Sequence, residues 1–222
     1  MEKISSNGFW RYALTDRSTH LLIISNLITI VFAVIENWDL STVIFIFVCQ
    51  TAIIVFFYSI KILYLKNDVF FAMSGPVNDK TAKIGKVLIA SIFLVVFYFV
   101  LWKYFDFFEF INIFGNFNLF ENFSIDLLMI VPIISFFINH FFSFRNYVKK
   151  SEYERHNFFT IAKLSIIRIL PIHILIFIFG FVLIILNIIP PITFVILFLI
   201  LKMMADVVSH VYEHNPKLMF KN

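Results

Sequence analysis

The sequence has few charged residues and a single cysteine. Only 14% of its 222 residues are Asp, Glu, Lys or Arg, against about 25% in a soluble domain. Hydrophobic residues make up 61% of the chain, and the mean hydropathy is +0.92. So many apolar side chains cannot be hidden in one soluble core of this length. The lone Cys49 excludes an internal disulfide. The composition therefore predicts an integral membrane protein.

The motifs of well-known soluble enzymes are also absent. The sequence contains no P-loop, no GxGxxG, no HExxH, no GxSxG and no CxxC pair. These absences exclude the sequence signatures of several enzyme classes but do not decide whether the protein is an enzyme. The net charge of +4 is small. We expect the lipid bilayer of the cell membrane as the partner, with no nucleic acid, and the sequence does not indicate an oligomeric state.

Six apolar segments are long enough to cross a membrane as helices, which takes roughly 20 residues each. Most are bounded by charged residues, and the pair Pro190-Pro191 separates the last two, since proline ends one helix and is well placed to begin the next. The sequence thus predicts an all-α fold, a six-helix transmembrane bundle in one domain over residues 1–222. The spans are 20–36, 40–65, 87–105, 127–144, 164–186 and 191–214, and segment 106–124 is predicted to lie at the membrane interface.

The charges of the connecting segments are divided unequally between the two sides. With six spans, fifteen Lys and Arg residues fall on the side of the two termini, and only Lys103 falls on the other. The opposite loops carry acidic residues such as Glu36 and Asp39. Because cytoplasmic loops are enriched in Lys and Arg, this asymmetry predicts that the N-terminus and the C-terminus are both cytoplasmic.

A polar stripe runs along the last span. Its five residues fall within an arc of about 120° on one helix face. They are Lys202, Asp206, His210, Glu213 and His214. Ionisable groups inside a membrane are costly, and they are more often functional than incidental. Glu213 and His214 lie at the predicted cytoplasmic end of the span, where we expect them to be solvated.

Polar residues of other spans fall at similar depths. At 1.5 Å per residue, Arg168 and Asp206 lie roughly 7–8 Å from the inner surface, His140 roughly 10 Å and His173 roughly 15 Å, with Gln50 near the midplane. The sequence therefore predicts a polar cluster in the inner half of the bilayer. Its candidate members are Gln50, His140, Arg168, His173, Lys202, Asp206, His210 and His214.

Three interpretations of this cluster remain open. In the first, it is structural: Arg168 or Lys202 pairs with Asp206, and the histidines hydrogen-bond to neighbouring helices. In the second, a proton or ion relay runs through Asp206 and the histidines, which indicates a proton- or cation-coupled transporter.

The third interpretation is a metal site. His140, His173, Asp206 and His210 offer a nitrogen-rich ligand set for zinc or iron, and the i,i+4 spacing puts Asp206 and His210 on one helix face. Such a site indicates an intramembrane metalloenzyme that acts on lipid or peptide. No catalytic residue is identified from the sequence.

Two prolines lie inside predicted spans. Pro171 removes the helical hydrogen bond to the carbonyl of Ile167, and Pro132 removes the bond to the carbonyl of Leu128. Both residues are expected to kink their helices and to open space between them.

Three places in the sequence resemble a family of uncharacterised prokaryotic, mostly archaeal, multi-pass membrane proteins that is filed as a domain of unknown function. The first is the apolar run from Gln50 to Lys61, and the second is His140 to Phe144 followed by Glu152-Tyr153. The third is a closing pattern: His173, Gly180, Leu201-Lys202, Asp206, His210, Glu213 and His214. The resemblance implies the architecture and the location of a site, but no chemistry. One departure counts against a metal site: segment 87–105 lacks the histidines that the third span of such proteins usually carries.

Overall fold

The computed structural model describes residues 13–65, 79–115, 127–154, 156–186 and 192–214. Within these ranges the chain is all-α, as predicted, and it has six long helices. They are α1 (Arg17–Ile35), α2 (Leu40–Tyr64), α3 (Asp79–Gly115), α4 (Ile130–Lys149), α5 (Phe158–Leu186) and α6 (Ile192–His214). A 3₁₀ turn, Leu127–Met129, leads into α4, and a second, Glu152–Glu154, follows it.

Five segments of these helices are long and apolar enough to cross a membrane. They are Arg17–Ile35, Leu40–Tyr64, Leu127–Lys149, Phe158–Val182 and Ile192–Glu213. The helix α3 covers the predicted third span and continues to Gly115, so the first part of the predicted interfacial segment is helical. Residues 116–124 of that segment lie outside the described ranges. The number of spans and the side of the termini stay predictions.

The surface of the bundle is apolar and many of its polar side chains point inward. Large hydrophobic residues are exposed on α1 (Ile24, Val31), on α4 (Phe141) and on α5 (Ile174, Phe181). Inside the bundle, by contrast, lie serine, threonine, amide and charged side chains. This distribution suits lipid, which replaces water around the outside of a membrane protein and leaves polar groups to find partners within.

The first two helices begin with the same motif, Asp-x-Ser-Thr. The Asp16 carboxylate accepts a hydrogen bond from the Thr19 amide at 2.9 Å, and Asp39 accepts one from the Thr42 amide at 2.8 Å. The serine hydroxyl of each motif donates to the same aspartate. An N-cap carboxylate satisfies amides that have no partner within the helix, so the sequence sets both helix starts locally.

The central helix of the bundle is α2, which packs against α3, α4 and α5. The helix α6 packs against α1 and α5, and α1 also packs against α4, where the Ser25 and Ser135 hydroxyls lie 3.0 Å apart. One apolar core surrounds Phe47, Phe179 and Phe198. A second core forms towards the other end of α2, around Tyr58 and Ile62. Buried polar side chains of α6 approach both cores.

A hydrogen bond joins α5 to α6 where proline interrupts the helical pattern. Pro171 lies inside α5 and cannot donate to the carbonyl of Ile167. The Ser209 hydroxyl of α6 donates to that carbonyl at 3.1 Å. Pro132, by contrast, falls in the first turn of α4, where proline is tolerated, so the expected kink is not required there.

Candidate functional site: a buried charge network on α6

The first centre of the network is the ammonium group of Lys202, which is fully buried. Its Nζ atom lies 2.6 Å from Asp206 Oδ2, one helical turn away, and donates to Asn26 Oδ1 at 2.8 Å and to Gln50 Oε1 at 2.6 Å. Asn26 also donates to Asp206 Oδ2 at 3.1 Å. Three acceptors from α1, α2 and α6 therefore match the three N–H groups of the ammonium. Two aromatic rings lie 5.0 Å from Nζ: Phe47 and Phe136.

The second centre is the carboxylate of Glu213, about three turns beyond Lys202 along α6. Its Oε1 atom lies 2.6 Å from Lys61 Nζ of α2, and its Oε2 atom lies 2.5 Å from Arg168 Nη1 of α5. All three side chains are buried. The tyrosine rings of Tyr58 and Tyr147 lie 4.6 and 5.2 Å from Lys61 Nζ. One carboxylate thus joins three helices.

A third contact lies at the end of the bundle where α1 begins. His210 Nε2 lies 2.9 Å from Ser18 Oγ and 3.5 Å from Asp16 Oδ2. Because Ser18 donates its only hydroxyl hydrogen to Asp16, the His210 Nε2–H must donate to the Ser18 oxygen. Burial raises the pKa of Asp16, but hydrogen bonds from His210, Ser18 and Thr19 more than offset this and hold its pKa well below the usual range.

The spacing of α6 explains why one helix builds all three contacts. Residues 202, 206, 210 and 213 fall within an arc of about 80° at 100° per residue. Their side chains face the interior, and none is more than 6% exposed. The stripe is therefore the inward face of α6.

The predicted site residues are divided among different places. Gln50, Lys202 and Asp206 meet in the first centre, Arg168 lies in the second, and His210 lies at Ser18. His140 and His173 are in neither centre. The side chain of His214, the last residue of α6, lies outside the described part of the structure.

The other two predicted ligands, His140 and His173, contact aromatic rings and a backbone carbonyl. His140 packs against the rings of Phe57 and Phe136, at centroid distances of 5.9 and 4.6 Å. His173 Nδ1 donates to the Ile169 carbonyl at 2.7 Å. Its ring lines a largely apolar cavity of about 340 Å³ between α2, α3 and α5. Asp206 does not line this cavity.

The predicted metal site is not supported. Among the described residues, no group of three or more His, Cys, Asp or Glu side chains is arranged to hold a metal ion. Of the four predicted ligands, Asp206 is paired with Lys202 and His210 with Ser18. His140 packs against Phe57 and Phe136, and His173 bonds to the Ile169 carbonyl. Similar depth in a bundle is therefore not enough to gather side chains of different helices at one metal.

The sequence reasoning missed several members of the network. They are Asp16, Ser18, Asn26 and Lys61, together with Glu213, which was expected to be solvated. Asn26 and Lys61 could have been recognised from the sequence as candidate members. Asn26 is an isolated polar residue inside the first apolar run, and Lys61 is one near the end of the second. Glu213 could also have been recognised, because it shares the helix face of Asp206.

Comparison with known proteins places this architecture in a family. Residues 10–219 match the profile of DUF6498, a family of unknown function. The chain belongs to DUF6498. No curated protein and no solved structure matches it. The resemblance to a multi-pass family of unknown function is therefore confirmed, while an archaeal character is not shown. Membership in DUF6498 assigns no activity to the network.

Proposed function

We propose that the protein is a six-span transporter of the cell membrane that couples its solute to protons. The supporting observation is a row of ionisable groups along the inward face of α6. It begins at the buried Lys202–Asp206 pair and continues through His210 to Asp16, which is partly exposed at the end of the bundle. Ionisable groups inside membrane bundles are costly and typically mark ion or proton pathways.

The proposed orientation puts the exposed end of this row at the cytoplasm. The start of α1 and the end of α6 lie on the side that carries fifteen of the Lys and Arg residues of the sequence. Protons would therefore enter or leave the row at Asp16. Both termini are cytoplasmic in this proposal.

The chemistry of the row suits stepwise proton transfer. Histidine is the side chain best suited to carry a proton between two partners, because its two ring nitrogens exchange donor and acceptor roles. His210 lies one helical turn from Asp206 and contacts the Ser18–Asp16 pair through Nε2. Protonation of Asp206 would remove the counter-charge of Lys202. The ammonium group of Lys202 would still donate hydrogen bonds to the amide oxygens of Asn26 and Gln50.

A second candidate function is purely structural. All three N–H groups of Lys202 and both oxygens of Glu213 have partners, and these contacts connect α6 to α1, α2 and α5. Such a network fixes how helices pack. The two candidates differ in one measurable property, the passage of protons.

Proton uptake into liposomes tests the proposal. Purified protein is reconstituted with an internal pH-sensitive dye, and a potassium diffusion potential drives protons inward. In this proposal the row of ionisable groups also lets protons pass slowly when no solute is bound, so we expect the wild-type protein to take up protons faster than protein-free liposomes. The double variant Lys202→Met/Asp206→Leu should fall to the protein-free rate. It removes a cation and an anion together, and replacing a buried ion pair by apolar residues is often neutral or stabilising.

A matched control is the exposed pair Lys103–Asp106 of α3, whose charged atoms lie 2.7 Å apart. The variant Lys103→Met/Asp106→Leu should conduct like the wild type. If wild-type uptake equals that of empty liposomes, or if the Lys202→Met/Asp206→Leu variant conducts normally, the proton pathway is wrong and the structural candidate stands.

A further inference from the structure

Arg168 uses only part of its guanidinium group in the Glu213 centre. Its Nη1 atom donates to Glu213, whereas Nε and Nη2 have no hydrogen-bond partner among the described residues. The residue is 2% exposed. A buried N–H without an acceptor carries the full cost of its desolvation. Such donors are rare in native structures, so the two unpaired nitrogen atoms of Arg168 need an explanation.

The two unpaired atoms have a characteristic geometry. Nε and Nη2 lie on the same edge of the planar guanidinium group, and their N–H bonds point in nearly parallel directions. This edge matches the two oxygens of a carboxylate or of a phosphate, and arginine typically binds such groups in this two-pronged way. The edge is therefore suited to an oxyanion.

The charges buried in the described part of the bundle do not balance. Three cations, Lys61, Arg168 and Lys202, face two carboxylates, Asp206 and Glu213. The excess is one positive charge. Asp16 does not supply the missing charge at Arg168, because it is held at the bundle end by Ser18, Thr19 and His210. Buried charges are normally paired, so a bound anion would complete the site.

Further buried donors inside the bundle also lack hydrogen-bond partners among the described residues. Gln50 Nε2 of α2 and Asn139 Nδ2 of α4 are buried and unpaired within the described ranges, as is Nε2 of His140.

We infer that the free Nε–Nη2 edge of Arg168 binds the oxyanion of an anionic ligand, a carboxylate or a phosphate. This inference extends the proposed function, in which the oxyanion belongs to the transported solute. The same chemistry has two sources: a small soluble anion, or the phosphate of an anionic lipid that enters from the membrane.

Thermal unfolding of the full chain in detergent measures the binding. Inorganic phosphate or acetate is titrated against chloride at equal ionic strength, and we expect a saturable rise of the midpoint temperature, because a ligand that binds only the folded state stabilises it. If only phosphatidylglycerol in mixed micelles gives this rise, and phosphatidylcholine does not, the ligand is a lipid headgroup. Either result supports the inference. The absence of a saturable effect with phosphate, acetate and phosphatidylglycerol would overturn it.

The variant Arg168→Lys locates the site. Lysine keeps a cation beside Glu213 but lacks the flat two-donor edge, so the apparent Kd should rise about tenfold or more. Arg145→Lys is the matched control, because Arg145 is exposed on α4, and its Kd should stay within about twofold of the wild type. Unchanged affinity in Arg168→Lys would place the anion elsewhere and refute the inference.

A second measurement does not depend on the folding of that variant. The chain has five arginines, so ¹⁵N-arginine labelling gives five Nε signals. The Arg168 signal, assigned by elimination from Lys variants of the other four, should shift saturably with the anion, and no shift would contradict the inference. Binding without proton uptake would refute only the transporter, and proton uptake without binding would refute only the anion site.

Discussion

At the residue scale, Glu213 shows where reasoning from the sequence succeeded and where it stopped. Its place on the inward face of α6 follows from helix periodicity alone. Its burial does not, because an estimate from the rise per residue put it outside the membrane. Its partners Lys61 and Arg168 lie on α2 and α5, and their contact with Glu213 depends on how those helices are placed and rotated around α6. The placement and the rotation of these helices cannot be derived from a local sequence pattern.

Replacing Glu213 tests its role as the shared counter-charge. Glu213→Gln leaves Lys61 and Arg168 buried without a carboxylate, and breaking a buried pair from one side costs about 3–5 kcal/mol. We expect a loss of that size in the free energy of unfolding, measured by steric trapping in bicelles. The control Glu36→Gln changes an exposed residue between α1 and α2 and should cost less than about 0.5 kcal/mol. Equal effects of the two changes would show that Glu213 does not hold the centre together.

At the element scale, the apolar runs predicted where helices lie better than where they end. The structure has α2 at Leu40–Tyr64, close to the predicted 40–65, but α3 continues to Gly115 and α5 begins at Phe158. A run of apolar residues reports only the part of a helix that suits lipid. Backbone hydrogen bonds continue beyond it, so a helix extends until a cap or a proline ends it.

The contact between α5 and α6 at Pro171 is another element-scale feature that was predictable in part. The sequence identified the carbonyl of Ile167 as the group that loses its helical donor. It could not identify Ser209 as the replacement, because the two residues are 42 positions apart and meet only through helix packing.

A double-mutant cycle tests this replacement. Ser209→Ala should cost about 1–3 kcal/mol, since it leaves a buried carbonyl without a donor. In a Pro171→Ala background the backbone N–H of residue 171 can bond to that carbonyl again, so Ser209→Ala should cost much less there. Ser165→Ala is the control, because Ser165 donates within its own helix to the Ala162 carbonyl. Additive effects in the cycle would disprove the link between Pro171 and Ser209.

At the scale of the whole molecule, composition predicted the class of fold. The estimates from the rise per residue predicted only how deep in the membrane the site residues lie. They brought His140, Arg168, His173 and Asp206 to similar levels. They did not predict where each helix lies around the bundle axis or which way its side chains face, and the predicted metal site depended on both. The network formed instead where α6 packs against α1 and α5 and reaches α2. Contacts between the first and last helices of a chain come from global packing.

The orientation of the bundle is the last whole-molecule feature that the sequence predicts, and labelling in membrane vesicles can test it. Cys49→Ser gives a background without cysteine. Two exposed positions report on opposite sides, residue 36 between α1 and α2 and residue 149 at the end of α4. Because the positive-inside rule puts the termini in the cytoplasm, Glu36→Cys should react with a membrane-impermeant maleimide in right-side-out vesicles, and Lys149→Cys only in inverted ones.

The reverse pattern would put Asp16 outside and turn the proposed proton pathway around. Labelling of both positions from the same side would require an even number of crossings between them, whereas the six-span prediction has three, so this result would contradict the six-span topology.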